Sequence, residues 1–258
     1  MAKVLSLSSQ VVWGPVGNTA AVPALQERGH EVLQVPTILL SHHPGHGVPV
    51  AQPTDVSLFK GLLASVAGKG GLAGCAAVLT GYFSSAGQVA AAAEVIAGLR
   101  EADPALVVLV DPVMGDHGRL YVAEGIAHAI RELLLPLAGV VTPNCFELGW
   151  LTGREVTGEE SAAAAARALD VAEVLVTSVP VDAGHLATLL VTRSGVHGKT
   201  SVRKPHVPHG TGDYLAGAYL AARLQMPAEQ ALGQAMQRLE TIIARSVGGV
   251  LQNTCRDT

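Results

Sequence analysis

The feature that most constrains this chain is a regular alternation of short apolar runs with segments of helical composition. The runs read, in chain order, VLSLS, EVLQV, AAVLTG, ALVVLV, GVVTPN and EVLVTS. Helix-like stretches lie between most of them, and examples are QVAAAAEVIAGLREAD and EGIAHAIRELLLPL. Strands that are apolar throughout and separated by helices pack as a parallel sheet with both faces covered. The pattern therefore predicts an α/β fold with a mostly parallel central sheet.

The last part of the chain departs from this alternation. Residues 185–204, HLATLLVTRSGVHGKTSVRK, predict two strands with a turn at Ser194 and Gly195. We expect them to form an antiparallel hairpin at one edge of the sheet. Two helices are predicted after the hairpin, over residues 214–224 and 228–246.

The first of these helices has apolar residues at intervals of three and four positions, which are Leu215, Ala218, Tyr219 and Ala222. This spacing predicts one stripe that faces the core. Small residues occupy positions 216–218, so we expect the helix to lie close to the sheet and to hold its first turn rigidly.

Composition limits the class of protein. Hydrophobic residues make up 49% of the 258 residues and charged residues 15%, which is enough for a sizeable core and argues against disorder. The net charge of −4, without a basic run, disfavours nucleic-acid binding. No apolar run approaches the roughly 18 residues of a membrane span. Three separated cysteines, Cys75, Cys145 and Cys255, suggest neither a disulfide framework nor a zinc site, so we expect a reducing cytoplasm.

Polar side chains follow most of the predicted strands. They are Ser8 and Ser9, Tyr82 after Gly81, Asp111, Asn144 and Glu147, and Thr177 and Ser178. Because ligands of open parallel sheets bind at the carboxyl ends of the strands, these side chains predict a site at that edge.

The stretch HGTGD, residues 209–213, combines flexible residues with a carboxylate where a helix begins. The free N–H groups of a first helical turn form an anion hole that suits a phosphoryl group, and Asp213 could accept a proton from an attacking hydroxyl. An aspartate cap after a glycine turn explains the same residues. The tetrapeptide by itself leaves both interpretations open.

Two further patterns also allow two interpretations. Asn144 and Glu147 have the spacing of a capping box, but Glu147 together with Asp111 could hold Mg²⁺ and neutralise nucleotide phosphates. Trp13 and Tyr82 stand beside strand ends, where they are either ordinary half-buried aromatics or a stacking surface for a flat ring.

Residues 41–53, SHHPGHGVPVAQP, predict a long loop of the kind that often covers a binding site. It contains His42, His43 and His46. A flexible loop makes a poor metal cage, so we expect these histidines either to contact a ligand or to be solvated, with metal binding the weakest alternative.

Taken in order, SSQVVWGPVGNTAA, LTGYFSS, DPVMGDHG, TPNCFELGWLTG, VLVTS and GTGD resemble the pyridoxal kinases, a vitamin-kinase branch of the ribokinase-like superfamily. The resemblance covers almost the full length. It implies one kinase domain over residues 1–258, built as a three-layer α/β/α sandwich. It also implies transfer of the ATP γ-phosphoryl to the 5′-hydroxymethyl group of a B6 vitamer, with Mg²⁺, often K⁺, and a homodimer.

The resemblance implies a role for individual residues as well. Asp213 would be the catalytic base, and the amides of Gly210, Thr211, Gly212 and Asp213 would form the anion hole. Nucleotide and Mg²⁺ contacts would come from Asp111 and Glu147, with further nucleotide contacts from Tyr121, Thr142, Thr177, Ser178, Arg203 and Lys204. The vitamer ring would be bound by Ser9, Val16, His43 and Tyr82, with Pro44 in the loop over it.

The chain also departs from the family pattern, mostly on the vitamer side. Gln10 replaces a common histidine. Pro44 stands where a threonine usually offers a hydroxyl and an N–H, and it offers neither. Residues 38–40 read Ile-Leu-Leu instead of valine-glutamine-phenylalanine, and the segments around Tyr121 and before GTGD are short. Phosphoryl transfer is thus better supported than the acceptor, and the sequence does not decide vitamer preference, catalytic rate, the monovalent cation or the oligomer.

Two other functions remain open at this point. One is a kinase of another hydroxymethylated heterocycle such as hydroxymethylpyrimidine, although such kinases often carry cysteine after GTG and this chain has Asp213. The other is a nucleotide- or vitamin-binding protein without catalysis. That alternative would be favoured by a missing base or a broken anion hole. In this chain the base and the glycines of the anion hole are both present.

Overall fold

The structure, a computed structural model, describes residues 1–246 and 251–252. Cys255, predicted to take part in neither a disulfide nor a zinc site, lies outside the described residues. The strands are β1 (Lys3–Trp13), β2 (Glu31–His42), β3 (Ala51–Pro53), β4 (Cys75–Thr80), β5 (Val107–Val110), β6 (Gly115–Asp116), β7 (Arg119–Leu120), β8 (Val140–Val141), β9 (Glu173–Pro180), β10 (His185–Thr192) and β11 (Gly195–Val202).

The helices are α1 (Asn18–Gln26), α2 (Val56–Gly68), α3 (Ala86–Ala102), α4 (Glu124–Ala129), α5 (Cys145–Thr152), α6 (Glu159–Arg167), α7 (Thr211–Arg223) and α8 (Ala228–Arg245). The chain continues from α4 through a π-helical turn at Ile130–Leu134 and a 3₁₀ turn at Leu135–Leu137. Pro136 has no N–H to donate, which explains why the helix predicted through residue 137 is not regular to its end. No helix within the described residues combines the length and the apolar character that a membrane crossing needs.

One nine-stranded sheet runs through the molecule in the order β11-β10-β9-β8-β5-β4-β1-β2-β3. The strands from β9 to β2 are parallel, whereas β10, β11 and β3 are added through antiparallel pairings at the two edges. The mostly parallel sheet and the predicted edge hairpin, β10 and β11, are therefore confirmed.

Neighbouring strand residues alternate between the two faces of the sheet. Val4 packs with α1, α7 and α8, and Leu5 packs on the opposite face with α2, α3 and α4. Helices α5 and α6 complete that second layer over β9 and β10. The three-layer arrangement predicted through the family resemblance is thus observed.

Helix α7 is more deeply buried than a single apolar stripe predicts. Residues 214–222 are all buried. The close approach that its small residues permit is made to α1, not to the sheet, because a Cβ on Gly217 would lie 2.6 Å from the carbonyl oxygen of Ala21. The tight packing between α1 and α7 ties the loop after β1 to the start of α7.

The segment predicted as a long loop, residues 41–53, is a loop over residues 43–50 with a 3₁₀ turn at Pro44–His46, and its two ends form an antiparallel extension of the sheet. Strand β2 continues to His42, and Ile38 and Leu40 pair with Pro53 and Ala51 of β3. A proline is tolerated there because an edge strand need not donate on its outer side. We call residues 38–53 the flap.

Candidate active site

The carboxyl ends of β1, β4, β5, β8 and β9 lie along one edge of the sheet, and the start of α7 faces the same edge. Helix α7 begins at Gly210, whose φ of 90° lies in the left-handed region. A Cβ at Gly210 would collide with the carbonyl oxygen of Pro15, so only glycine fits where these two backbones meet. A Cβ on Gly212 would meet no other atom, so the first turn is open on that side.

The half-buried carboxylate of Asp213 lies in this first turn. Burial raises its pKa to about 6, while backbone N–H groups of Gly17 and of Asp213 itself donate to the carboxylate and oppose the rise. Asp213 is therefore ionised at neutral pH and is a stronger proton acceptor than an ordinary aspartate.

A second carboxylate, Asp111, lies at the end of β5. Its oxygen Oδ1 accepts a hydrogen bond of 2.7 Å from the hydroxyl of Thr142, which follows β8. Burial, followed by the charge of Asp213, raises the pKa of Asp111 to about 8, and the hydrogen bond from Thr142 acts against this rise. The influence of Asp213 shows that the two carboxyl groups share one electrostatic environment.

Glu147 forms the predicted capping box and has a further role. Its Oε2 accepts from the N–H of Asn144, and the Asn144 side chain accepts from the N–H of Glu147, both at 2.9 Å. Its Oε1 accepts from the N–H groups of Met114 at 3.1 Å and Gly115 at 3.4 Å. The carboxyl group thus joins α5 to the β6–β7 hairpin. Burial and the charge of Asp111 raise its pKa well above the usual range.

Tyr121 follows the β6–β7 hairpin. Its side chain is 54% exposed. Desolvation of the phenol, together with the charges of Glu147, Asp111 and Asp213, nevertheless raises its pKa. Tyr121 therefore lies within electrostatic range of the three carboxyl groups of the site.

An apolar wall adjoins this carboxylate cluster. Val16 and Tyr82 pack together with Val11 from β1 and with Ile38 and Leu40 from the flap. The predicted ring-lining residues Val16 and Tyr82 are therefore neighbours. Ser9 is 5% exposed on β1 and lies directly beside Gly17.

The tip of the flap reaches the residue that precedes GTGD. The ring centroids of His43 and His209 are 4.1 Å apart and their planes differ by 30°. His46 lies 5.3 Å from His209 and 5.0 Å from Trp13, measured between ring centroids. Among the described residues, no group of three or more His, Cys, Asp or Glu side chains is arranged to hold a metal ion. The flap thus closes on the start of α7 through stacked imidazoles.

Other predicted site residues lie around this centre. Pro44 is exposed and begins a 3₁₀ turn at the tip of the flap. Thr177 forms an isolated parallel β-bridge with Asn144. Ser178 has a φ of 58°, a left-handed conformation within an irregular part of β9. Arg203 and Lys204 follow β11 and are exposed at the same edge.

Several structural partners of the site were missed by the sequence reasoning. Gly17 donates to Asp213, and Asn18 locks the start of α1 to β1 through Ser6 Oγ at 2.8 Å and the carbonyl of Ser8 at 3.1 Å. The GN pair at these two positions was the available signal. His209 and the apolar residues of the flap had no local signal, because their partners are distant in the chain.

A cavity of about 620 Å³ lies elsewhere, between the first half of β11 and the start of α8. It is lined by Val196, His197, Gly198, Lys199, Glu229, Gln230, Leu232 and Gly233. None of the shifted carboxyl groups lines it, so we place the candidate site at the strand ends.

Comparison with known proteins identifies the family. Residues 15–252 match the family model described as phosphomethylpyrimidine kinase. The chain is 44% identical over 229 residues to the pyridoxine/pyridoxal/pyridoxamine kinase of Bordetella avium, a match that covers 86% of this chain and 77% of that protein. It is 38% identical to a pyridoxal kinase of Rubrobacter xylanophilus, with 98% of this chain and 88% of that protein covered.

Solved structures agree in fold. The pyridoxal kinase from Leishmania donovani in complex with ADP and pyridoxine has a TM-score of 0.88 and 34% identity, over 97% of this chain and 92% of that chain. The pyridoxal kinase from Entamoeba histolytica has a TM-score of 0.92 and 26% identity, over 98% and 92%. The family predicted from the sequence is confirmed: the chain belongs to the pyridoxal kinases of the ribokinase-like fold, within the wider family that the phosphomethylpyrimidine kinase model describes.

Proposed function

We propose that this protein is an ATP-dependent kinase that phosphorylates the 5′-hydroxymethyl group of pyridoxal, pyridoxine or pyridoxamine, within one domain over residues 1–258. The observation that carries the proposal is the carboxylate of Asp213, held in the open first turn of α7 beside an apolar wall and under a flap. The names of the relatives support it, since the Leishmania protein was solved with ADP and with pyridoxine or pyridoxamine.

In this proposal Asp213 accepts the proton of the acceptor hydroxyl as its oxygen attacks the γ-phosphorus. The new P–O bond forms while the bond from the γ-phosphorus to the bridging oxygen breaks, and ADP leaves. The amides of Gly210, Thr211, Gly212 and Asp213 would stabilise the transferring phosphoryl group, because the positive end of α7 meets the developing charge there.

The nucleotide side would be formed by Asp111, Tyr121, Thr142, Glu147, Thr177, Ser178, Arg203 and Lys204. The two buried carboxyl groups, Asp111 and Glu147, fit a divalent cation. Within the described residues, no ion pair from a Lys, Arg or His side chain reaches either of them. Burial and neighbouring carboxylates raise their pKa values, and a bound cation would favour the ionised form of both groups. Mg²⁺ at this place would neutralise charge on the nucleotide phosphates. Glu147 would act on it through water, because its oxygens already accept from three backbone N–H groups.

The acceptor side would be formed by Ser9, Val16, His43, Pro44 and Tyr82. A flat pyridine ring suits the wall of Val16 and Tyr82, and the hydroxyl of Ser9 can hydrogen-bond to a polar ring atom. The flap would cover the ring and exclude water.

A kinase of hydroxymethylpyrimidine is the second candidate, because the matching family model is named for phosphomethylpyrimidine kinase. One assay separates the candidates. The protein is incubated with Mg-ATP and each B6 vitamer or hydroxymethylpyrimidine, and the phosphorylated product is identified by mass spectrometry. Formation of a B6 5′-phosphate supports the proposal, whereas phosphorylation of the pyrimidine alone refutes it. Absence of any product would indicate a binding protein. Exchange of KCl for NaCl in the same assay tests the expected K⁺ requirement.

Pro44 provides a test of the acceptor. Pro44→Thr restores a hydroxyl and an N–H at the tip of the flap, and one hydrogen bond to a neutral ligand is worth about 0.5–1.5 kcal/mol, or about two- to twelvefold in affinity. We expect tighter pyridoxal binding in calorimetric titration and little change in ATP affinity. Pro44→Ala, which restores the N–H without the hydroxyl, is the matched control. Equal pyridoxal affinity in all three proteins would show that the flap was shaped for another ligand.

The histidines at the flap tip predict a pH dependence. Burial, followed by the charges of His209 and His46, lowers the pKa of His43 to about 4. A free histidine titrates near 6.5, so the closed flap resists protonation that an open flap accepts. The free energy that favours the closed flap is thus fully present above about pH 6.5 and is lost as the pH falls toward 4. We expect pyridoxal binding to weaken as the pH falls from about 6.5 toward 4, and His43→Gln to remove most of this dependence. An unchanged dependence in that variant would assign it to another group.

Two further proposals concern assembly and location. Exposed apolar residues lie near the β3 edge of the sheet, namely Val12, Leu39, Val48 and Val50, and they support a homodimer that sedimentation velocity can test. Cys75 and Cys145 are free thiols, which supports the reducing cytoplasm as the compartment.

A further inference from the structure

The two ends of the flap are held together by one buried side chain that the proposed mechanism does not use. Gln88, in the first turn of α3, is fully buried. Its Nε2 donates to the carbonyl of Thr37 at 2.8 Å and to the carbonyl of Thr54 at 2.6 Å. Thr37 and Thr54 are the residues immediately before and after the flap, and the N–H of Thr54 also donates to the carbonyl of Thr37 at 3.0 Å.

The other end of the same amide holds the loop after β4. Gln88 Oε1 accepts from the N–H of Ser84 at 3.0 Å and from its hydroxyl at 3.1 Å. Thr37 reaches that loop directly, since its hydroxyl donates to the carbonyl of Tyr82 at 2.6 Å. Tyr82 is the aromatic residue of the apolar wall, and Ile38 and Leu40 of the flap pack in the same cluster.

An amide has two N–H donors and two acceptor sites. Both donors of Gln88 are paired, its oxygen accepts from the N–H of Ser84, and the Ser84 hydroxyl proton is shared between that oxygen and the carbonyl of Thr37. A buried polar group that is fully paired fixes its partners in one arrangement, because any displacement leaves a donor or acceptor unpaired. The side chain therefore sets the separation between the flap and the Tyr82 loop, the two sides of the apolar wall.

We propose that Gln88 is a positioning residue that fixes the closed position of the flap over the acceptor, and that it therefore governs acceptor affinity without acting on ATP. This proposal rests on the proposed function, because it assumes that the acceptor binds between the flap and Tyr82. Gln88 does not touch the acceptor; it acts through Thr37, Thr54 and Ser84.

The test compares Gln88→Met, which keeps the length of the side chain and removes its hydrogen bonds, with Gln225→Met. Gln225 is an exposed glutamine away from the flap, and its side-chain amide makes two hydrogen bonds to Arg28, which join the end of α1 to the end of α7. We expect Gln88→Met to raise the KM for pyridoxal about tenfold, with the KM for ATP and kcat changed less than twofold. Gln225→Met should leave the ratio of the two KM values unchanged. An equal change of both KM values in Gln88→Met, or none, would overturn the proposal.

A second pair of variants covers the case in which Gln88→Met does not fold. Thr37→Val removes the hydrogen bond to Tyr82 at nearly constant volume, and Thr37→Ser retains it. The proposed positioning of the flap is supported if the valine variant has a raised KM for pyridoxal and the serine variant has the wild-type value. Equal KM values in both variants contradict it.

Amide hydrogen exchange separates this proposal from the proposed function. Without any substrate, the flap amides of Ser41 and Val50 should exchange faster in Gln88→Met, or in Thr37→Val, than in the wild type. If the wild type phosphorylates no vitamer and exchange is still faster in the variants, the proposed function fails while the positioning role of Gln88 stands. If the wild type is an active kinase and the variants exchange no faster than the wild type, the positioning role of Gln88 is refuted and the proposed function stands.

Discussion

Asp213→Asn should lower turnover by about 10²–10⁴-fold while leaving ATP affinity nearly unchanged. A substrate hydroxyl is too weak an acid to ionise before the reaction, so a carboxylate must take its proton as the P–O bond forms. Asparagine retains an oxygen that can accept from the N–H of Gly17, but it cannot accept the proton. Steady-state kinetics together with nucleotide titration measures both quantities.

Stability distinguishes this role from that of a helix cap. The pKa of Asp213 is raised in the folded protein to about 6, so the folded state binds this proton more tightly than the unfolded chain does. Ionisation of Asp213 therefore costs stability as the pH rises from about 4 to about 6, and the cost persists at higher pH. Asp213→Asn should melt at or above the wild-type temperature at about pH 7.5. If Asp213→Asn has a lower melting temperature and near-normal turnover, Asp213 is a helix cap and not the catalytic base.

The exposed Asp116 offers a matched control. It lies in the neighbouring β6–β7 hairpin, and its charge also acts on Tyr121. Asp116→Asn removes the same charge from the same region without removing the base, so its turnover should stay within about threefold of the wild-type value. A loss as large as that of Asp213→Asn would mean that the total charge of the region matters, and not the individual carboxylate.

Glu147→Gln should lower both stability and the response to Mg²⁺. The sequence pattern alone predicts little change in stability if Glu147 serves the metal. In the structure its oxygens accept from Asn144, Met114 and Gly115, so the NH₂ group of glutamine must face at least one N–H donor. An unpaired buried donor costs about 1–3 kcal/mol, and a chain of this size loses about 2–4 °C of Tm per kcal/mol. We therefore expect a lower Tm by several degrees and a higher Mg²⁺ concentration for half activity.

The control is Asn144→Ala, which breaks the same capping box and leaves the carboxyl group in place. It should lower the Tm similarly without changing the Mg²⁺ requirement. If Glu147→Gln behaves in the same way, Glu147 only joins α5 to the β6–β7 hairpin. If only the Mg²⁺ requirement of Glu147→Gln changes, its hydrogen bonds to the hairpin contribute little.

The flap shows where local pattern fails. Residues 41–53 contain histidines, prolines and glycines that predict a loop, yet Ala51–Pro53 form an edge strand with β2. An edge strand needs hydrogen bonds on one side only, so prolines fit it, and no periodicity reveals it. Likewise the stripe predicted on α7 was too narrow, because α1 covers a further face of that helix, which cannot be read from α7 itself.

The sequence by itself determined the fold class, the family and the edge of the sheet where the site lies. Buried parallel strands need continuous apolar runs, and the glycines and carboxylates follow those runs in a fixed order. Only the tertiary structure decided which groups act on one another. The influence of Asp213 on Asp111 and of Asp111 on Glu147, the stacking of His43 on His209, and the hydrogen bonds of Gln88 to Thr37 and Thr54 join residues that are distant in the chain. Electrostatic and hydrogen-bond energies depend on separation and burial in space, and neither is a property of local sequence.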